Sequence, residues 1–221
     1  PNGANWFENL WIENNVVKRV ARTGIWVFSK WTNRPGCDWG YNHYVDDEHG
    51  YYHHKNVIIR KNELLQTGGD AIVMGAVWGG WIENNTSYYA QYLGRSGYYN
   101  AGIWTHSCRN VVFQFNEAAY TYKRNNAGDG QGFDIDIGNT DITFRYNYAH
   151  HNEGGGILLC NFSTEMTFYN VDGTVKETVA EIAPDWSNVV VRNNVFADND
   201  EAAFDVVGTG DIRNFTVENN T

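Results

Sequence analysis

The sequence contains few of the residues that helices favour, and few that would build a covalent framework. Leucine and lysine occur only six times each in 221 residues, whereas both are frequent in helices. No apolar run approaches the roughly 20 residues that a membrane-spanning helix needs. The three cysteines, Cys37, Cys108 and Cys160, match no metal-binding spacing and cannot all pair. A helical bundle, a spanning helix and a disulfide scaffold are therefore excluded.

Positive charge is also scarce. The chain has 16 Lys and Arg against 26 Asp and Glu, which gives a net charge of −10, and its basic residues are scattered. Nucleic acids and anionic membrane surfaces attract basic patches, so neither is an expected partner. A strongly polyanionic substrate is disfavoured unless a metal ion or a local Arg reverses the field.

The abundant residues are those of β-structure, together with asparagine. Valine and isoleucine total 33, aromatic residues make up 15% of the chain, and there are 23 Gly and 28 Asn. β-Branched and aromatic side chains favour strands. Ordinary turns do not require one Asn in every eight residues, so the chain is predicted to be all-β with a special use for asparagine.

A short pattern recurs along the whole chain: an apolar residue, two further residues and then Asn. The final Asn falls at seven positions, namely Asn15, Asn62, Asn85, Asn116, Asn147, Asn194 and Asn220. A second strand, often led by Gly, follows each of the first six. Repetition at one register predicts a solenoid of stacked coils, with the Asn amides satisfying one another and the turn backbone in left-handed turn positions.

The asparagine ladder and the Gly-led strand resemble the right-handed parallel β-helix of the pectin-lyase-like superfamily. The resemblance covers residues 5–221 and implies about six to seven coils of three strands. It also implies that the Gly-led strand is the first strand of each coil, and that a substrate groove runs along its outer face. The prediction is a single β-helix domain over residues 1–221, as a segment of a longer protein or stacked on another copy.

Alternation along the Gly-led strands predicts which side chains face outward. The expected inward pairs are Ile25/Val27, Ala71/Val73, Ile103/Thr105, Phe133/Ile135 and Ile157/Leu159. In the sixth coil Asp205 is expected to face inward through a local register change. Trp104, His106, Asp134 and Asp136 then form one exterior quadrilateral, the polar cluster of an otherwise apolar stripe.

Four insertions surround this stripe, at residues 29–55, 86–101, 117–131 and 161–187. The insertions at 86–101 and 117–131 belong to the coils that carry the quadrilateral and are rich in Tyr. Long loops on a solenoid are usually functional, so these segments are predicted to wall the groove.

Carboxylates in an aromatic-walled groove suit acid–base chemistry on an extended polysaccharide. The predicted catalytic residues are Asp134 and Asp136, about 7 Å apart, a spacing that favours inversion. Asp129 is the alternative partner, and His106 would orient Asp136. Sugar rings would contact a second set of residues: Trp104, Trp26, Tyr122, Lys123 and Arg124. A glycoside hydrolase without a metal or cofactor is the first hypothesis, secreted or on the cell surface.

Two other classes stay open from the sequence. A polysaccharide lyase on a uronate polymer would use calcium held by Asp134 and Asp136, with His106, Lys123, Arg124 or a loop Tyr as base. A non-catalytic glycan-binding rod would keep the aromatic stripe without poised carboxylates. The remaining polar residues have structural interpretations: His150, His151 and Glu153 would cap a loop, Asp70 would form a turn, and Cys160 would be covered by a loop.

Overall fold

The computed structural model describes residues 6–28, 53–93, 99–124, 129–162, 164–169, 174–182 and 186–221. Every regular element in these ranges is a β-strand, and the chain repeats three of them in each coil. Strands that lie at the same place in successive coils pair in parallel, which produces three long sheets. This is the β-helix that the repeat predicted, with six complete three-strand coils and one further strand.

The strands are numbered in chain order and grouped here by sheet. Sheet A has seven: β1 (Glu8–Glu13), β4 (His54–Arg60), β7 (Val77–Glu83), β10 (Arg109–Gln114), β13 (Thr140–Arg145), β18 (Ser187–Arg192) and β21 (Arg213–Glu218). Sheet B has six: β2 (Val16–Lys18), β5 (Glu63–Leu65), β8 (Thr86–Tyr88), β11 (Glu117–Ala119), β14 (Tyr148–His150) and β19 (Val195–Ala197). Sheet C also has six: β3 (Ile25–Val27), β6 (Ile72–Gly75), β9 (Ile103–His106), β12 (Gln131–Ile135), β15 (Gly155–Asn161) and β20 (Phe204–Gly208).

Two more strands lie outside the coils. β16 (Thr164–Tyr169) and β17 (Val175–Ile182) pair antiparallel and form a hairpin. They lie inside the predicted insertion at 161–187, which was expected only as a loop. The insertions expected at 86–101 and 117–131 are shorter than predicted, because each begins with a strand of sheet B. Of the insertion at 29–55, residues 29–52 lie outside the described residues.

The recurring asparagines form a ladder at the turn between sheets A and B. Each side-chain amide donates to the Oδ1 of the next ladder Asn at 2.9–3.2 Å, and that oxygen also accepts a backbone N–H. The left-handed residue is not the ladder Asn, as the sequence suggested, but the residue before it, with φ of 53–59° at all seven turns. The ladder Asn therefore supplies hydrogen bonds while its neighbour supplies the turn.

The core lies between the three sheets and is filled by Val, Ile, Leu and aromatic side chains stacked from coil to coil. Phe113, Phe133, Phe144 and Trp186 are fully buried and are its largest members. Neighbouring rings meet at 5.0–5.7 Å between centroids, within the range that aromatic pairs prefer. This packing fixes the position of sheet C, on which the candidate site lies.

Strand register corrects the predicted facing in two coils. In β6, Ile72 and Met74 pair with Ile25 and Val27 and face inward, so Val73 faces out, the reverse of the prediction. In β20, Asp205 pairs with Leu158 of β15 and lies on the outer face, where it was expected to face inward. The outward row along sheet C is therefore Trp26, Val73, Trp104, Asp134, Leu158 and Asp205.

Candidate active site

The predicted quadrilateral forms on the outer face of sheet C. Asp134 of β12 pairs with Trp104 of β9, and Asp136 follows the end of β12. An oxygen of each carboxylate and the Sγ of Cys160 lie within 4.8 Å of one another. The carboxylate oxygens are thus closer than the 7 Å spacing that the alternation of a flat strand predicted, because both side chains turn toward Cys160.

Asp136 is held from several directions. Its Oδ1 accepts the backbone N–H of Ile137 at 2.7 Å and the thiol of Cys160 at 2.9 Å. Its backbone carbonyl accepts the indole N–H of Trp186 at 3.2 Å and the side-chain amide of Asn139 at 2.5 Å. Burial raises the pKa of Asp136, whereas the Cys160 and Ile137 hydrogen bonds lower it. The carboxylate is fixed through one oxygen and its backbone.

Asp134 is almost fully enclosed, with 4% of its surface exposed. Its Oδ1 is buried and has no hydrogen-bond partner. Burial raises the pKa of Asp134 well above its usual range, and the charges of Asp136, Asp129 and Asp70 raise it further. Two ionised carboxylates this close repel each other, so the site favours the protonated form of Asp134.

Asp129 approaches the same place from the loop before β12. It is partly exposed, and burial followed by the charge of Asp136 raises its pKa to about 7. Lys123 lowers that pKa, while its own ammonium group contacts Glu201 at 2.6 Å. A carboxylic acid that is partly accessible and titrates near neutral pH has the properties of a general acid.

Trp104 is anchored by a residue that the sequence assigned to a turn. The carboxylate of Asp70 accepts the indole N–H of Trp104 at 2.8 Å and the hydroxyl of Thr23 at 3.2 Å. Burial raises the pKa of Asp70, and the Trp104 hydrogen bond opposes that rise. The sequence pattern aligns Asp70 with the Gly that leads most of the other strands, but the register of β6 puts Ala71 level with Gly24 and Gly102. The structure therefore connects Asp70 to the site through the Trp104 ring.

His106 lies at the site, where it was predicted to orient Asp136. The hydrogen bond described for its ring goes to Ser107 instead. Its ring Nδ1 lies 3.0 Å from Ser107 Oγ, and its centroid is 5.5 Å from that of Trp104. The ring covers Gly75 of the preceding coil, where a Cβ would come within 2.4 Å of Nε2. Burial lowers the pKa of His106 to about 4, so the imidazole is neutral at pH 7.

The other predicted sugar contacts divide into two groups. Trp26 is 52% exposed and lies on the same outward row as Trp104, two coils away. Tyr122 and Arg124 lie beside Asp129's loop, with the guanidinium 3.9 Å from the Tyr122 ring centroid. Lys123 shares that segment, and its backbone N–H donates to Glu153. Trp26 thus lies three coils before Asp134, whereas Tyr122 and Arg124 lie in the same coil as Asp134.

His150 and His151 form a separate cluster on sheet B. Their Nδ1 atoms are 2.8 Å apart, and His150 Nε2 lies 3.0 Å from Glu117. Among the described residues the one group of three donors close enough to hold a metal ion is Asp134, Asp136 and Cys160. Two carboxylates and a thiol suit calcium poorly, because calcium prefers six to eight oxygen ligands.

Comparison with known proteins was made in sequence and in structure. The family model described as a right-handed β-helix region matches residues 9–221. A lacto-N-biosidase of Bifidobacterium longum subsp. longum is 31% identical in an alignment 212 residues long, and the alignment covers 88% of this chain and 13% of the relative. The chain thus spans a small part of that protein.

The fold is shared with a solved structure. The structure of the selenomethionine derivative of a GH136 lacto-N-biosidase from Eubacterium ramulus aligns with this chain at a TM-score of 0.59 and 20% identity. The alignment covers 96% of this chain and 36% of the enzyme's chain. The native form of that enzyme aligns at a TM-score of 0.49 and 18% identity, and the alignment covers 79% of this chain and 30% of the enzyme's chain. In the described ranges, no helix is long and apolar enough to cross a membrane.

Proposed function

We propose that this chain, which belongs to the right-handed β-helix family, carries the catalytic centre of a glycoside hydrolase that cleaves a neutral oligosaccharide. The observation that carries the proposal is the pairing of Asp129, whose pKa is raised to about 7, with the fixed carboxylate of Asp136. The relative named lacto-N-biosidase supports the same class and suggests a lacto-N-bioside as the first substrate to test.

The proposed roles follow from accessibility and proton affinity. Asp129 is the general acid, because it is partly exposed and protonated up to about pH 7. Asp136 is the nucleophile, because donors hold its Oδ1 and leave the other oxygen to meet the sugar. Asp134 is too enclosed to attack a substrate; as a neutral acid it prevents a second negative charge from forming beside Asp136.

The reaction would be a double displacement. Asp136 attacks the anomeric carbon while Asp129 protonates the departing glycosidic oxygen, which gives a covalent glycosyl–enzyme intermediate. Asp129, now ionised, takes a proton from water, whose oxygen displaces Asp136. A double displacement differs from the inversion that the predicted 7 Å spacing of Asp134 and Asp136 favoured, and it predicts a product that keeps the anomeric configuration of the substrate.

A neutral glycan fits this site better than a uronate. The charges of Asp136 and Asp70 raise the pKa values of both Asp129 and Asp134, and Lys123 is the cation that lowers the pKa of Asp129. An anionic polymer would be repelled unless calcium were bound, as the lyase hypothesis requires. Export to the cell surface or medium remains our proposal for a hydrolase of extracellular glycans.

The substrate in the test is a nitrophenyl lacto-N-bioside. NMR immediately after cleavage gives the anomeric configuration of the free disaccharide product. Asp136→Asn and Asp129→Asn should each reduce kcat by roughly 10² to 10⁴ or more. Azide should restore activity to Asp129→Asn, because it attacks the intermediate without base assistance. In the wild type, kcat/KM should fall as pH rises above about 7, since Asp129 then loses its proton.

Asp141→Asn is the matched control, because Asp141 lies on sheet A and pairs with Arg109 away from the site. It should retain wild-type turnover. Inverted product, or full activity in either active-site variant, would contradict the assigned roles. An unsaturated product lost on chelation would establish the lyase, and binding without turnover would establish the glycan-binding rod.

A further inference from the structure

A buried cysteine touches the carboxylate to which we assigned the nucleophilic role. Cys160 of β15 lies beside Asp136 in the next coil, because Leu159 pairs with Ile135. The residue is 3% exposed, and its Sγ is 2.9 Å from Asp136 Oδ1. Burial and the charges of Asp134 and Asp136 raise the pKa of Cys160. The sulfur therefore remains a thiol, and its proton points to the carboxylate.

We propose that Cys160 is a positioning residue whose thiol proton holds Asp136 Oδ1, so that the opposite oxygen is presented to the sugar. This inference rests on the proposed function. Two donors converge on one oxygen, the Ile137 N–H at 2.7 Å and the Cys160 thiol. Both hydrogen bonds favour the ionised form of Asp136, which is the form that a nucleophile needs.

The choice of a thiol has a physical consequence. A thiol is a weaker donor than a hydroxyl, so it orients the carboxylate while removing little of its electron density. It also adds no charge to a site in which Asp134 and Asp129 already repel Asp136. An ammonium or guanidinium group at the same place would hold Asp136 more strongly but would lower its nucleophilicity.

The chain supplies a control in the second described free cysteine. Cys108 is equally buried and lies in the core. Its Sγ accepts the Val77 N–H and donates to the Met74 carbonyl, both at 3.3 Å. The two thiols thus share burial and differ in one respect, which is that Cys160 contacts a carboxylate and Cys108 contacts backbone. A general cost of removing a buried thiol should appear at both positions.

The experiment compares Cys160→Ala, Cys160→Ser and Cys108→Ala with the wild-type protein. For each we would measure melting and the pH dependence of kcat/KM on the nitrophenyl lacto-N-bioside. Cys160→Ala should move the acidic limb of the profile about one pH unit higher, which lowers kcat/KM about tenfold at pH values below both limbs. Cys160→Ser should restore the wild-type limb, since its hydroxyl also donates, and Cys108→Ala should leave the limb unchanged.

An unchanged limb in Cys160→Ala would overturn the proposal, as would an equal shift in Cys108→Ala or a failure of Cys160→Ser to restore it. If the wild type hydrolyses nothing, the proposed function fails, and the Asp136 carboxyl can be titrated instead by carbon-13 NMR. A higher pKa for Asp136 in Cys160→Ala alone would then support the positioning contact without the reaction. An unaltered titration would refute the contact as well.

Discussion

Two lines of buried polar side chains run along this β-helix, and they are opposite in character. The asparagine ladder lies at the turn between sheets A and B, where each amide donates to the next ladder Asn and accepts from the preceding one. The carboxylates lie on the outer face of sheet C, where Asp134 has an unpartnered oxygen and neighbouring charges raise the pKa of Asp129. One line consists of satisfied groups, and the other of groups that oppose one another.

The difference shows how a repetitive fold separates stability from chemistry. A stack of identical coils can satisfy any polar group that recurs in each coil, because every copy meets its neighbour at the same distance. Groups that occur in only one or two coils receive no such partner. Buried polar groups without partners cost stability, and functional sites are where proteins retain that cost. Asp129, Asp134 and Asp136 all lie in the fourth coil. These carboxylates do not belong to the repeat, and they therefore mark the site.

The largest effect on stability should come from breaking the ladder at its centre. Asn116 donates to Asn147 Oδ1 and the Ile82 carbonyl, and its oxygen accepts two N–H groups of Asn85. Asn116→Leu leaves these buried groups without partners, each at about 1 to 3 kcal/mol, so the free energy of unfolding should fall by at least about 3 kcal/mol in urea denaturation.

Gln114→Leu is the control for that variant. Gln114 also bridges coils through its amide, to Glu83 at 2.8 Å and to Arg145 at 2.9 and 3.0 Å. Its partners are partly exposed charged groups that water can solvate, so the loss should stay below about 1 kcal/mol. Equal losses of unfolding free energy in the two variants would mean that the buried ladder stabilises the fold no more than the partly exposed Gln114 contacts do.

Repetition also decides which parts of the structure can be predicted from the sequence. The ladder and the stacked coils were predicted because Asn recurs at one register at seven turns, and the three strands of each coil were predicted from the resemblance that this pattern supports. The facing of β6 was wrong because Ala71, Ile72, Val73 and Met74 are all apolar, and a strand buried on both faces shows no alternation. The predicted direction of the β20 side chains was also wrong. In that coil Ala202 and Ala203 stand where other coils have the leading Gly from which the register was counted.

The site was predicted in part for the same reason. Asp134 and Asp136 stand out against an apolar row, so alternation was enough to place them. The proposed roles depend on burial and on neighbours in other coils, which a single strand does not reveal. The contact of Cys160 with Asp136 joins residues 24 apart, and that of Trp104 with Asp70 joins residues 34 apart. Neither spacing repeats along the chain.

A smaller effect should follow from removing the aromatic wall of the site. Trp104 adjoins Asp134, and Asp70 holds its indole N–H. Trp104→Ala should weaken binding of an oligosaccharide by roughly 1 to 3 kcal/mol, the scale of losing an aromatic anchor, as measured by calorimetry. Trp81→Ala on the outer face of sheet A is the control and should leave affinity unchanged. Unchanged affinity in Trp104→Ala would place the binding surface elsewhere.

The smallest effect should have the opposite sign to that of the ladder variants. Burial and neighbouring charge raise the pKa of Asp134 in the folded protein above its unfolded value near 3.9. The folded state therefore binds more protons than the unfolded state, and stability falls as pH rises through that range. Asp134→Asn removes the titration and keeps the shape of the side chain.

Asp134→Asn should therefore melt at nearly the wild-type temperature at pH 4 and above it at pH 8. A gain of about 1 kcal/mol corresponds to roughly 2 to 4 °C for a chain of this size. The same substitution should reduce turnover, because an amide cannot act as the neutral acid beside Asp136. A variant that melts lower than wild type at pH 8 would show that Asp134 is a satisfied structural group like the ladder asparagines. The two lines of polar side chains would then not differ in the way proposed here, and the assignment of the site to the row around Asp134 would lose its energetic basis.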